Sequence, residues 1–306
     1  MIDKMEYVQA AALVKVAEKK LLNSAKLMRM IDANTALDIL KILSETDYSK
    51  SMAGVVKEED YEEILSNEIK KVYSFARTLA KKHQEIVDIL ALKYEFQNLK
   101  LRLKASMKNK NVDQYFVKLS NIDLENEYKK AYEMLEKTND ISQAVIYIDK
   151  MYYEKLKIEC EKTGLEIFSK YYNLLIDSYN LLTFLRLKNQ NRSIKYANYC
   201  IFDNEALLNI YEKDSYMEDL RKMFDDKSMW EKFAKTGKIS VIEKELDNLQ
   251  ISLIKQYKDV NYGVEPIITY ILAKEYEMKA IRLIMTGKIN KINTNIIKER
   301  MREIYV

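Results

Sequence analysis

The chain has 306 residues, of which 48% are hydrophobic, and only five glycines and one proline. Such a chain can bury a real core and is not disordered, and the scarcity of helix breakers makes it all-α. Its 51 basic and 47 acidic residues nearly cancel to a net charge of +4, a small and dispersed excess that argues for an ion-paired, wet surface and against a nucleic-acid binder.

Length alone suggests two or three domains. Cys160 and Cys200 stand far apart with no CxxC spacing, as expected of reduced thiols in the cytoplasm. No apolar run approaches the roughly 20 residues that span a bilayer. The start, MIDKMEYVQA, has no signal-peptide core. A role at a membrane would therefore be peripheral, without insertion.

Taken in order, Met5–Met30 reads as one long amphipathic helix, with a charged break at AEKK. Thr35 and Asp38 have capping-box spacing ahead of a short helix, Ala36–Leu43. After Gly54, KEEDYEE opens a helical region running to about Lys104, its acids suited to a helix N-terminus. Asn109–Asp113 reads as a polar junction, and Asn139–Ser142 as another break. The apolar, tyrosine-rich stretch Phe168–Leu187 ends in the polar loop KNQNRS. Short helices follow over Asn204–Phe233, Gly237 breaks the chain, and Glu243–Gln256 leads into the last stretch.

That last stretch, Tyr262–Val306, organises the chain. Gly263 gives turn freedom, Pro266 suits a first helical turn, and Gly287 stands where a helix C-cap belongs. Between them Tyr270, Ala273, Glu277, Ala280, Ile281 and Ile284 share one face. Glu277 is thus an acid within an apolar stripe, which requires a partner.

Three helix ends resemble one another: Tyr94–Lys104, Ile176–Arg186 and Tyr276–Thr286. An acid recurs as Glu95, Asp177 and Glu277, at spacings of 82 and 100 residues. Asn98, Asn180 or Ala280 follows three positions on. Chance can produce such a pattern. If it is a repeat, three helical units could close into a pseudo-threefold body, with approximate boundaries 1–110, 111–200 and 201–306.

Sites of chemistry are absent from the sequence. It has no P-loop and no GxGxxG, and one histidine, His83, with two distant cysteines, does not make a zinc site. No catalytic residue, metal or cofactor is expected. FDDKSMWE resembles the DDxxD metal motif of helical terpenoid synthases, but Met229 replaces the last acid. Asp225 and Asp226 read instead as a helix start. The 23 tyrosines read as amphipathic packing residues.

The motifs Gly263-Val-Glu-Pro266, Tyr270-Ile-Leu-Ala-Lys-Glu-Tyr-Glu277, Arg282-Leu-Ile, Gly287-Lys288 and Ile297-Lys-Glu-Arg-Met-Arg-Glu-Ile-Tyr-Val306 resemble the C-terminal signature of the C subunit of archaeal and bacterial V-type ATPases, the counterpart of the d subunit of the vacuolar enzyme. Tyr7, Lys15, Leu21-Leu22 and Thr46-Asp47-Tyr48 resemble its N-terminus. Val264 departs from the proline common there. The resemblance implies a non-catalytic funnel of three helical domains on the cytoplasmic face of the membrane rotor ring. It would receive the central shaft of D and F subunits and pass torque between shaft and ring. An all-helical scaffold of another complex is the alternative, for which a solenoid would show a period of about 34–47 residues.

Lys104, Arg186, Lys188 and Lys288 lie at the ends of the repeat helices. They are candidates for a ring or shaft interface, although ordinary capping of helix C-termini by cations would place them there too. Glu95, Asp177 and Glu277, with Arg282, Arg300 and Arg302 as their expected basic partners, are candidates for holding the domains together.

Overall fold

A computed structural model describes residues 3–54, 57–108 and 110–306. Among these residues the regular structure is all helical, with no strand. The helices in chain order are α1 Val8–Glu18, α2 Ser24–Asp32, α3 Ala36–Ser44, α4 Tyr61–Ala80, α5 Glu85–Ser106, α6 Glu125–Thr138, α7 Ile141–Thr163 and α8 Glu166–Asn189. There follow α9 Ile194–Cys200, α10 Glu205–Ile210, α11 Tyr216–Met223, α12 Lys227–Thr236, α13 Ile239–Lys255, α14 Glu265–Ile289 and α15 Thr294–Arg300.

The chain divides into two compact units. The first comprises residues up to Thr163 together with Ile251–Val306, and the second is Gly164–Gln250. In the first, α14 is the central element. It packs against α1, α2, α3, α4, α5 and α15. Its side chains are buried nearly all round, including Lys274, Glu275 and Glu277. The single apolar face read from the sequence is therefore an underestimate, because neighbours cover α14 from several sides. A helix apolar around its circumference belongs inside a protein.

Several expected elements are shorter than the periodicity suggests. The Met5–Met30 helix is two, α1 and α2. The Asn23 side chain accepts from the Lys26 N–H and starts α2 afresh, while the Leu22 N–H is taken by Glu277. The region from Gly54 to Lys104 is likewise split into α4 and α5. Lys81 adopts a left-handed φ of 51° at the break, and Gln84 Nε2 donates back to the Arg77 and Lys81 carbonyls at 3.0 and 2.6 Å. Of the expected Asn109–Asp113 junction, Asn109 lies outside the described residues, and a 3-10 turn follows at Asp113–Tyr115. The break at 139 is a left-handed Asn139 that caps α6. The Thr35 cap forms, its Oγ1 accepting from the Asp38 N–H at 3.1 Å.

Gly287 differs most from expectation. It does not end α14, which runs on to Ile289. A Cβ at Gly287 would lie 2.6 Å from Ile297 Cδ1. The glycine therefore serves close approach of α15, not helix termination. Gly263 does supply the turn, with φ +74°, and Pro266 stands in the first turn of α14.

The second unit builds its core from Phe168, Leu181, Phe184, Leu207, Leu220, Trp230, Ile242 and Leu246. Phe184 meets Tyr211 edge-on at 5.1 Å, an arrangement that adds to the burial of both rings. Gly237 ends α12 in the left-handed conformation. Asp226 accepts from the Met229 N–H at 2.9 Å. This places the FDDKSMWE acid at the N-cap of α12.

Candidate functional site

The sequence of α14 places Lys274 and Glu277 three residues apart, hence on one face, and Glu275 on an adjacent one. Lys274 is 2% exposed, Glu277 6% and Glu68 of α4 1%. Lys274 Nζ lies 2.7 Å from Glu277 Oε1 and 3.0 Å from Glu68 Oε1, and it sits 4.1 Å from the centre of the Tyr48 ring. Tyr48 Oη donates to Glu277 Oε1 at 2.8 Å, and the Leu22 N–H donates to Glu277 Oε2. Glu68 Oε2 accepts from Ser51 Oγ at 2.6 Å and Lys71 Nζ at 2.9 Å. Asp47 completes the group, 3.6 Å from both Lys71 and Lys20. Three cations face three carboxylates, so the cluster is neutral.

Its electrostatics follow from burial set against pairing. Burial pushes the Lys274 ammonium down, but Glu277 and Glu68 outweigh it and hold the pKa above the ordinary lysine value. Burial pushes the Glu68 carboxyl up, but Lys274, Ser51 and Lys71 hold it below the usual range. Burial, with Glu277 beside it, raises the Tyr48 hydroxyl well above the tyrosine value, and burial lifts Tyr270 to about 12. Lys274 and Glu68 thus stay charged, and Tyr48 and Tyr270 neutral. On the adjacent face, Glu275 Oε1 accepts from Tyr73 at 2.9 Å and Tyr94 at 3.1 Å, and Lys93 pairs with Oε2.

This arrangement corrects the partner expected for Glu277. Arg282 pairs instead with Glu62, Nε to Oε1 at 2.6 Å and Nη2 to Oε2 at 2.9 Å. Five residues beyond Glu277, it points to a different sector of the helix, where Glu62 of α4 is within reach. Arg300 is exposed at the end of α15, and Arg302 Nη1 donates to the Arg300 carbonyl at 2.7 Å. The sequence did offer Lys274, one turn before Glu277, but Lys279 and Arg282 on the same helix compete with it as partners.

Glu95 has no cationic partner among the described residues. Its Oε1 accepts from the Leu119 and Ser120 N–H groups at 3.1 and 3.0 Å, and from Ser120 Oγ at 3.2 Å. Asp177 is half-buried, and burial alone raises its carboxyl pKa. The asparagines three positions on are better matched. Asn98 Nδ2 donates to the Val117 carbonyl at 3.0 Å and its Oδ1 accepts from the Val117 N–H at 3.1 Å. Asn180 does the same with Phe202, both bonds at 2.8 Å. The two repeat helices clamp a returning backbone in the same way, each within its own unit.

The four basic helix-end residues stand in different surroundings. Lys188 Nζ donates to the Tyr211 carbonyl at 3.0 Å and lies 4.4 Å from the Tyr216 ring centre. Lys288 Nζ donates to Thr294 Oγ1 at 3.1 Å, so it fastens α15 to α14. The exposed Arg186 lies 3.7 Å from the half-buried Glu243. The exposed Lys104 has no ion pair among the described residues. Among the described residues no three His, Cys, Asp or Glu are grouped to bind a metal. Nor does any helix among the described residues have the length and apolarity to cross a membrane.

Comparison with known proteins gives this architecture its relatives. The family model described as ATP synthase (C/AC39) subunit matches residues 10–300. The C subunit of the A-type ATP synthase of Methanocaldococcus jannaschii is 24% identical, over 97% of this chain and 86% of that protein. The C subunit of the V-type sodium ATPase of Enterococcus hirae is 23% identical, over 98% of this chain and 99% of that protein. The C subunit of the A-type ATP synthase of Methanosarcina acetivorans is 21% identical, over 96% and 92%. With a match across almost its whole length, the chain belongs to the ATP synthase (C/AC39) subunit family, as a non-catalytic subunit.

Proposed function

We propose that the chain is the central-stalk adapter of a rotary ATPase, joining a shaft made of D and F subunits to the membrane rotor ring on its cytoplasmic face. The family match over residues 10–300 carries this reading. An adapter that passes torque must be stiff, because a soft coupling twists before it turns its load. The buried, fully paired hub on α14 supports that demand, since it fastens α1, α2, α4 and the turn at Tyr48 around one helix.

The proposal includes three similar helical units with boundaries near 110 and 200. In that division the bonds from Glu277 to Leu22 and Tyr48 join the third unit to the first. Those from Glu95 to Leu119 and Ser120 join the first to the second. Asp177 would serve the same purpose in the second. The paired Asn98 and Asn180 clamps support the repeat. Lys104, Arg186, Lys188 and Lys288 remain the candidates for the ring or shaft contact.

The test is reconstitution of the ATPase with and without this chain. The complex lacking it is expected to hydrolyse ATP in its head without driving ion transport, and adding the chain is expected to restore coupling. Undiminished ATP-driven transport in its absence would overturn the proposal.

A further inference from the structure

The chain's charge is not evenly dispersed. Residues 100–118 hold six bases, Lys100, Arg102, Lys104, Lys108, Lys110 and Lys118, against one acid, Asp113. Their net +5 exceeds the +4 of the whole chain, so the remaining residues together carry −1. The structure carries this charge along the C-terminal half of α5 and on the chain that returns beside it, where Val117 is bonded to Asn98. Lys100 pairs with Asp149, and Arg102 with Glu125 at 2.6 Å. Lys104, Lys108, Lys110 and Lys118 are exposed and make no ion pair among the described residues.

This tip is held in place. The Lys108 and Lys110 N–H groups both donate to the Ala105 carbonyl, at 3.0 and 3.2 Å. On the returning chain, Val117 is clamped by Asn98. Two apolar side chains stand among the lysines, Met107 at 53% exposure and Tyr115 at 65%. Nothing in the unit's own stability calls for four unpaired lysines around them. Like charges on one surface repel, at a cost that an opposite surface would relieve.

We infer that the α5 tip is a docking surface for an acidic polypeptide segment of another subunit in the same complex. This rests on the reading of the chain as part of a rotary ATPase. A polypeptide answers every feature of the tip. Its carboxylates pair with the four ammonium groups, its apolar side chains cover Met107 and Tyr115, and its backbone N–H groups suit the negative end of the α5 dipole. A phosphate surface, whether lipid or nucleic acid, meets the first of these but brings its own negative charge to the negative end of the α5 dipole. The contact is wet and exposed, so it governs association rate and salt sensitivity.

The experiment uses the ATPase purified without this chain, titrated with wild-type chain and with the K104E/K108E/K110E/K118E variant. These exposed side chains make no ion pair among the described residues, and circular dichroism checks that the variant is folded. A control, K195E/K222E/K235E/K238E, makes the same charge change at exposed lysines of the second unit. The tip variant is expected to bind about tenfold or more weakly at low salt and to lose most of the salt dependence, while the control binds as wild type. A carbodiimide, which condenses amines with carboxylates, is expected to link Lys108 or Lys110 to an Asp or Glu of another subunit. Equal binding by wild type and the tip variant would overturn the inference while leaving the rotary ATPase reading intact. So would tip-dependent binding to phosphatidylglycerol vesicles, or to single-stranded DNA, without any carbodiimide link to protein. A wild-type chain that fails to rebind the complex at all would overturn both.

Discussion

Replacing Glu277 with alanine removes the acceptor of three donors at once: the Lys274 ammonium, the Tyr48 hydroxyl and the Leu22 N–H. Lys274 keeps Glu68 at 3.0 Å, so it is not left bare. The buried Tyr48 and the Leu22 N–H have no substitute acceptor in the cluster, and a stranded buried donor costs about 1–3 kcal/mol. Breaking a buried ion pair by removing one partner costs about 3–5 kcal/mol. These effects share atoms and do not add, so a loss of about 3–5 kcal/mol is expected. For a body of this size that corresponds to a fall in melting temperature of about 10 °C. The assay is denaturant unfolding followed by circular dichroism, with Lys274→Met as the second arm of a double-mutant cycle. A coupling of about 1–3 kcal/mol is expected between the two positions. An unchanged Glu277→Ala midpoint, or a coupling below about 0.5 kcal/mol, would refute the account of the hub.

Further outcomes follow from the same structure. Glu68, whose pKa is lowered from 4.5, contributes stability present above that value and lost as pH falls through its folded pKa. Lys274, raised from 10.5, and Tyr48, raised from 10.0, contribute stability present below those values and lost at higher pH. Unfolding free energy should therefore plateau between and decline on both sides, and Glu68→Gln should flatten the acid limb in a pH series of urea melts. Gly287→Ala gains about 1 kcal/mol of helix propensity but drives a Cβ to 2.6 Å from the Ile297 side chain. A net loss of about 1–2 kcal/mol is expected, with faster amide exchange in α15. Asn180→Leu strands the Phe202 N–H and carbonyl and should cost about 2–4 kcal/mol. Asn98→Leu, at a more exposed clamp, should cost less when the two are compared by thermal melting.

What could be read from the residues was whatever local chemistry decides. Five glycines and one proline in 306 residues leave little choice but helix. Thr35 caps because an extended residue ahead of a helix presents its hydroxyl to a free N–H. Pro266 begins α14 because it lacks the N–H that this position does not use. The family motif was legible for the same reason, being contiguous along α14 and its flanks. The charged run AEKK marked the place where α1 ends, but periodicity could not see the break after Ala80, since the helices on both sides keep the same hydrophobic rhythm. Only neighbours in space reveal that the Leu22 N–H leaves the helix for Glu277.

Tertiary structure alone settled the remaining roles. Glu277 required a cation by its burial, but sequence could not choose among Arg282, Arg300, Arg302 and Lys274. The choice turned on which face of α14 meets α4 and Tyr48. Gly287 carried the sign of a helix end and proved to be the gap into which Ile297 fits. A small residue records only that space or torsion is constrained, and the packed neighbour decides which. The basic charge of 100–118 was present in the sequence, yet whether a lysine is free depends on acids distant along the chain. Asp149 and Glu125 neutralise two of its six bases, and the fold leaves the other four facing outward.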